Sequence, residues 1–287
     1  MRTRNRAKWP TQVNITPQTL PPAPPRGLAI TWINHASFLL RTAQSSLLVD
    51  PVYSEKIGPF GLIGPRRVHP PGIAFDALPK VDAVLVSHDH YDHCDMATLS
   101  RLAERDQPTA IVPLANAGLM RRAGFQKIIE LDWWEKHVVG ADGEVTLTPS
   151  QHWSNRLSGT RCGRLWGGFY LRFGHRSAHF IGDTGFHPTL FSEIQKRLGA
   201  PDVAMIPIGA YEPRWFMRGQ HCNPAEAVAI HHQLDAGLSL AMHWGTFQLT
   251  DEAREAPLEA LKVALATEPA EEAERFIVLE PGQTQVV

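Results

Sequence analysis

Four side chains able to hold a transition metal, His88, His90, Asp92 and His93, fall within the run Ser87-His88-Asp89-His90-Tyr91-Asp92-His93. Imidazole nitrogen suits zinc and related borderline cations, carboxylate oxygen is tolerated, and four such donors so close together exceed what one ion needs. Two adjacent ions would use them all. Further donors end later apolar runs: His152 in Pro149-Ser150-Gln151-His152, Asp183 in Phe180-Ile181-Gly182-Asp183, and His243 in Ala241-Met242-His243. The count closes with His88, His90 and His152 on one ion, Asp92, His93 and His243 on the other, and Asp183 as a bridge. Each ion then keeps a position for a shared solvent molecule, which two cations would ionise near neutral pH, so Asp92 and Asp183 are expected to be catalytic as well as ligating. Zinc is the expected metal, two ions per chain, with iron or manganese as alternatives. Seven of the 14 histidines, His69, His137, His175, His179, His187, His231 and His232, lack such a context and read as structural.

These donors need strands to deliver them. Short β-rich runs end in a His or Asp: Ser46 to Asp50, Val81 to His88, Val145 to His152, Ser177 to Asp183 and Leu238 to His243. Loops leaving buried strands are where α/β sheets usually place their sites. Between the runs, Asp95 can cap a helix with Met96, Leu99, Leu102 and Ala103 on one face. Asn223-Pro224-Ala225-Glu226 offers a cap, a first-turn proline and a capping-box glutamate. Strands interleaved with helices in two successive halves predict an α/β fold, a four-layer αββα sandwich of two face-to-face sheets with helices outside. Residues 27–287 are expected to form this domain. Before them, residues 1–26 read as an extended basic, proline-rich arm, because Pro17, Pro21, Pro22, Pro24 and Pro25 each fix φ and remove a backbone donor.

With 287 residues, 43% of them hydrophobic, the chain can bury a substantial core. A net charge of −1 provides no general positive field, so nucleic acid is not an expected partner. Cys94, Cys162 and Cys222 cannot all pair, and no signal-length apolar stretch follows the basic start (Arg2, Arg4, Arg6, Lys8), which together suggest the cytoplasm. No run approaches the roughly 20 apolar residues that span a bilayer, so any membrane contact is expected to be peripheral.

The segment His88-x-His90-x-Asp92-His93 resembles the signature of the metallo-β-lactamase superfamily. Further blocks, Ile128–Glu135, Thr148–Trp153, Ile206–Met217 and His243–Phe247, together with Ile33–Ser37, Asp50-Pro51 and Gly64–Arg67, are similar to the N-acylphosphatidylethanolamine-hydrolysing phospholipase D family. That resemblance implies a dinuclear zinc phosphodiesterase cleaving N-acylphosphatidylethanolamine-like glycerophospholipids to phosphatidic acid and N-acylethanolamine. It also implies substrate contacts from Tyr91, His221 and Gln220, and a carboxylate, Asp50, that orients a ligand imidazole, with His35 bracing the same neighbourhood. The animal members carry a longer N-terminal extension than the short arm here. Cys94 and Cys222 read as packing residues. A lipid substrate demands an apolar groove, for which Ile57–Ile63 and Trp215, Phe216 and Met217 are candidates; the alternative is that they pack into the core or between two copies in a homodimer. The competing function is a lactone or amide hydrolase on the same metals.

Overall fold

The structure, a computed structural model, describes residues 6–157 and 160–287. Arg2 and Arg4 of the basic start lie outside the described residues. Six strands come first: β1 (Ala29–Asn34), β2 (Ser37–Arg41), β3 (Ser46–Val49), β4 (Ala83–Leu85), β5 (Thr109–Pro113) and β6 (Ile128–Leu131). Seven follow in a second sheet: β7 (Lys136–Val139), β8 (Gly143–Thr148), β9 (Gly168–Phe173), β10 (Arg176–Phe180), β11 (Val203–Pro207), β12 (Leu238–Met242) and β13 (Phe276–Ile277). The last strand, β14 (Thr284–Val286), returns to pair with β1 and so closes the edge of the first sheet.

Each half follows one plan. An antiparallel meander, β1 to β3 or β7 to β10, gives way to parallel strands, β3 to β6 or β10 to β13. Side chains alternate across the first sheet as the period of two requires. Phe38, Leu40, Leu47, Val49, Ala83, Leu85 and Ile111 join the core shared with the second sheet. Leu39, Leu48, Val84, Ala110 and Val112 pack instead beneath α1 (Met96–Asp106) and α2 (Ala117–Ala123). Opposite them, α3 (Leu190–Leu198) and, beyond the short α4 (Arg214–Met217), α5 (Pro224–Leu234) and α6 (Ala256–Leu265) contribute Phe191, Ile194, Ile230, Leu234 and Leu261 to the other core surface. The expected α/β four-layer αββα sandwich is what forms. The two sheets meet at Phe38 and Phe180, edge to face at 6.3 Å, each fully buried and each contributing about 1.5–3 kcal/mol by leaving water.

The helix starts match the sequence signals. Asp95 accepts from Ala97 N, and Asn223 and Glu226 form the reciprocal capping box of α5. Strand lengths differ from the sequence runs: β4 stops at Leu85 and β10 at Phe180, so His88 and Asp183 lie in loops rather than at strand tips. Their donors must converge on a point, and a pleated ladder would send alternate side chains to opposite faces.

The arm preceding β1 is extended and tied down. Arg6 Nη2 donates to Gln248 O, Trp9 Nε1 to Glu252 O, and Val13 N to Val68 O, while Leu20 packs beside α1 and α2. Among the described residues, no helix is long and apolar enough to cross a membrane.

Candidate metal centre

After β4 the chain turns sharply, with His93 N and Cys94 N both donating to His90 O before Asp95 starts α1. Arg156 Nη1 donates to Asp89 O and Cys94 O at the two ends of this turn, and Arg164 Nη1 holds the Asp89 carboxylate at 2.8 Å. The turn is thereby fixed from outside, a role that nothing in the sequence spacing signals because both arginines lie more than 60 residues away.

Two groups of donors result. In the first, His90 Nδ1 lies 2.9 Å from His88 Nε2 and 3.2 Å from His152 Nε2, with Asp183 Oδ2 3.9 and 3.7 Å from those two Nε2 atoms. In the second, Asp92 Oδ2 is 3.6 Å from His93 Nε2 and 3.4 Å from His243 Nε2. Asp183 Oδ2 sits 3.1 Å from each of those imidazoles and so faces both groups. Donors around one tetrahedral zinc, at about 2.0–2.1 Å from the ion, stand roughly 3.3 Å apart. The spacing here is of that size. Two buried atoms, Asp183 Oδ1 and His243 Nε2, make no hydrogen bond, although buried polar groups almost always find one. The donor set fits one or two divalent cations.

The surroundings hold the rings in place. His93 Nδ1 meets Asp50 Oδ2 at 2.6 Å, and Asp50 also accepts from Ser87 N and Ser87 Oγ, so its carboxylate fixes the orientation of the His93 imidazole. His88 Nδ1 meets Ser87 Oγ, and His152 Nδ1 donates to Gln220 O. His35 Nε2 reaches Asp92 Oδ2 at 3.0 Å, which makes it a member of the second group as well as a brace. Its carbonyl accepts from His243 N, and Trp32 stacks on Trp244 beside them. His35, Asp50, Ala210 and His243 all have positive φ. Such backbone costs about 1–2 kcal/mol per residue, and it persists because packing around the centre imposes it.

Electrostatics follow from burying acids against imidazoles. Burial pushes the Asp183 carboxyl up, but His243 and His93 outweigh it and hold the group well below the usual carboxylate range. Asp92 is likewise held low, chiefly by His93 against its burial. Burial opposes charge on His93 and His243, yet Asp183 raises both, His243 to about 9. His88 and His152 are pushed well down by burial.

His221 Nε2 lies 4.0 Å from Asp183 Oδ2, its Nδ1 is buried without a partner, and burial lowers its pKa to about 4. With Gln220 it lines a cavity of about 270 Å³ that also contains His90, Asp92 and Asp183. Ala210, Pro213, Trp215, Phe216, Met217 and Leu249 form its apolar part. Gln220 bears on His152 through its carbonyl, while its amide points to Met217 Sδ. Tyr91 sits apart from His221: under the Arg156 guanidinium, it lines a neighbouring cavity of about 530 Å³ with Lys56, Phe60 and Leu157. The loop after Ile57 does not enter the core, since Phe60, Leu62 and Ile63 are exposed. Cys94 and Cys222 are fully buried packing residues. Of the histidines read as structural, His69 bonds Pro70 O and Thr246, and His179 bonds Thr148.

The chain is 35% identical to N-acyl-phosphatidylethanolamine-hydrolyzing phospholipase D 1 of Caenorhabditis elegans, over 90% of this chain and 75% of that protein. It is 33% identical to the mitochondrial N-acyl-phosphatidylethanolamine-hydrolyzing phospholipase D of Saccharomyces cerevisiae, over 81% of this chain but only 51% of the yeast protein, so it spans about half of that relative. In fold it is similar to an isothiocyanate hydrolase from Delia radicum gut bacteria, with a TM-score of 0.70 at 20% identity, covering 90% and 98% of the two chains. The family described as Beta-lactamase superfamily domain matches residues 46–244, a span that includes every residue of the two donor groups except His35. With that match and the paired donor groups, the chain belongs to the metallo-β-lactamase superfamily of metal-dependent hydrolases.

Proposed function

We propose that the protein is a dinuclear, zinc-type phosphodiesterase of phospholipase D type, acting on N-acylphosphatidylethanolamine-like glycerophospholipids. The observation that carries this reading is the junction of a two-ion donor set with an apolar-walled cavity, where Trp215 and Phe216 stand largely exposed at the wall. A small polar substrate needs no such wall. The similarity to two phospholipases of this specificity supports the same choice.

His88, His90 and His152 would hold one ion, Asp92, His93 and His243 the other, and Asp183 both. When bound, the pair supplies an acidified solvent nucleophile and positive charge for the phosphoryl oxygens. The chain's residues supply the rest. Water adds to phosphorus, the bond from phosphorus to the ethanolamine oxygen breaks, and that oxygen takes up a proton, leaving phosphatidic acid and N-acylethanolamine. Asp92, a carboxylate across the physiological range, takes the proton of the attacking water. His221 and Gln220 bind the phosphate, and the apolar wall takes an acyl chain and excludes water. Tyr91 contacts the lipid from the neighbouring cavity. The test is a direct comparison of a fluorogenic N-acylphosphatidylethanolamine, bis(p-nitrophenyl) phosphate and a panel of lactones with metal-loaded protein. Cleavage of the two diesters is expected; turnover confined to the lactones would replace this function with the lactone hydrolase reading.

A further inference from the structure

A second cluster of metal donors, sharing no residue with this centre, lies at the C-terminal end of α5. His231 Nε2 is 3.7 Å from Glu272 Oε2, in the short helix α7 (Ala270–Ala273), and His232 lies beside them, with one donor atom of each residue within 4.8 Å of the others. We propose that His231, His232 and Glu272 form a separate divalent-cation site, of zinc-type chemistry, that clasps the end of α5 to α7.

Three features support the assignment. His231 Nδ1 meets Ser239 Oγ on β12 at 2.7 Å, which fixes the ring and leaves Nε2 directed to Glu272, the arrangement in which ligand histidines are usually held. The 3.7 Å gap is long for a hydrogen bond but close to the roughly 3.3 Å between two donors on one tetrahedral ion. Glu268 Oε2 holds His232 Nε2 at 3.0 Å, and the cluster ends a helix whose C-terminal carbonyls favour positive charge. Arg275 Nη1 now bonds both Glu272 oxygens at 2.9 and 3.1 Å. Its Nη2 and Nε also donate to Ala236 O and Gly237 O, so the guanidinium stays anchored if Glu272 turns to a cation. Burial lowers the His231 pKa, which keeps the ring neutral and able to ligate at neutral pH. Adjacent histidines on a helix carried no such signal in the sequence because the partner carboxylate comes from another element.

The test is calorimetric titration of zinc into untagged protein whose main centre has been filled and whose metal content has been measured beforehand. The expected result is one further equivalent, weakened at least tenfold in His232→Ala and in Glu272→Gln while the starting metal content is unchanged. Wild-type protein that takes up no further zinc, or both variants binding it as tightly as wild type, would overturn the site. Neither result bears on the lipid activity, which is read separately.

Discussion

At the scale of the residue, the centre depends on carboxylates that each serve more than one imidazole. Asp183 faces both donor groups, so Asp183→Asn should lose at least one of two bound ions and all turnover on either diester while the far-ultraviolet spectrum stays native; full activity would remove Asp183 from the bridge. Asp50 touches His93 but lies behind it. Asp50→Asn should therefore lower metal affinity about 10- to 100-fold, read by competition with a chelator, and leave the ligand count unchanged. The seven donors that the fold gathers were legible because their types and order repeat at the ends of apolar runs. Ser87, Arg156 and Arg164 were not legible as parts of this arrangement, since each acts through a contact that only folding creates. Tyr91 lines a different cavity from His221 and Gln220, a separation the sequence did not signal because neighbours in a tight turn point to different cavities.

At the scale of the element, short signals set where segments begin, and tertiary packing sets how far they extend. The Asn223 box starts α5 two residues after His221, so Asn223→Ala should cost about 1 kcal/mol in denaturant unfolding, with an unchanged midpoint counting against a structural role for the cap. Strand β10 carries a second test. His179 is wholly buried against Thr148, and burial drops its pKa from 6.5 to about 3. Between those values the unfolded chain binds a proton that the folded chain refuses. The resulting stability is fully present above about pH 6.5 and falls as pH drops, by about 1.4 kcal/mol per pH unit. His179→Gln should flatten that limb by this amount in unfolding measured from pH 4 to 7; an unaltered slope would show that His179 is protonated in the fold. The ends of β4 and β10 were the least legible features, because apolar composition continues through Val86 and Ile181 after the ladders stop.

At the scale of the whole molecule, two face-to-face sheets bring the donor loops of both halves to one edge, which the halved pattern of runs made legible in advance. The apolar stretches that the sequence offered either to a groove or to the core stand exposed, Phe60 by 86% and Trp215 by 68%. In the proposed function this surface meets lipid. Phe60→Ser with Leu62→Ser should lower turnover of vesicle-borne N-acylphosphatidylethanolamine by about tenfold or more, since burying each such side chain is worth about 1.5–3 kcal/mol, and leave bis(p-nitrophenyl) phosphate cleavage unchanged. Equal loss on both substrates would assign these residues to the architecture of the centre instead. The paired-ion cage itself is tested most directly by anomalous diffraction at the zinc edge from crystals of zinc-loaded protein. Two peaks about 3.5–4 Å apart are expected, one among His88, His90 and His152, the other among Asp92, His93 and His243, with Asp183 touching both. A fully active protein showing no peak, or a single one, among these side chains would contradict the account.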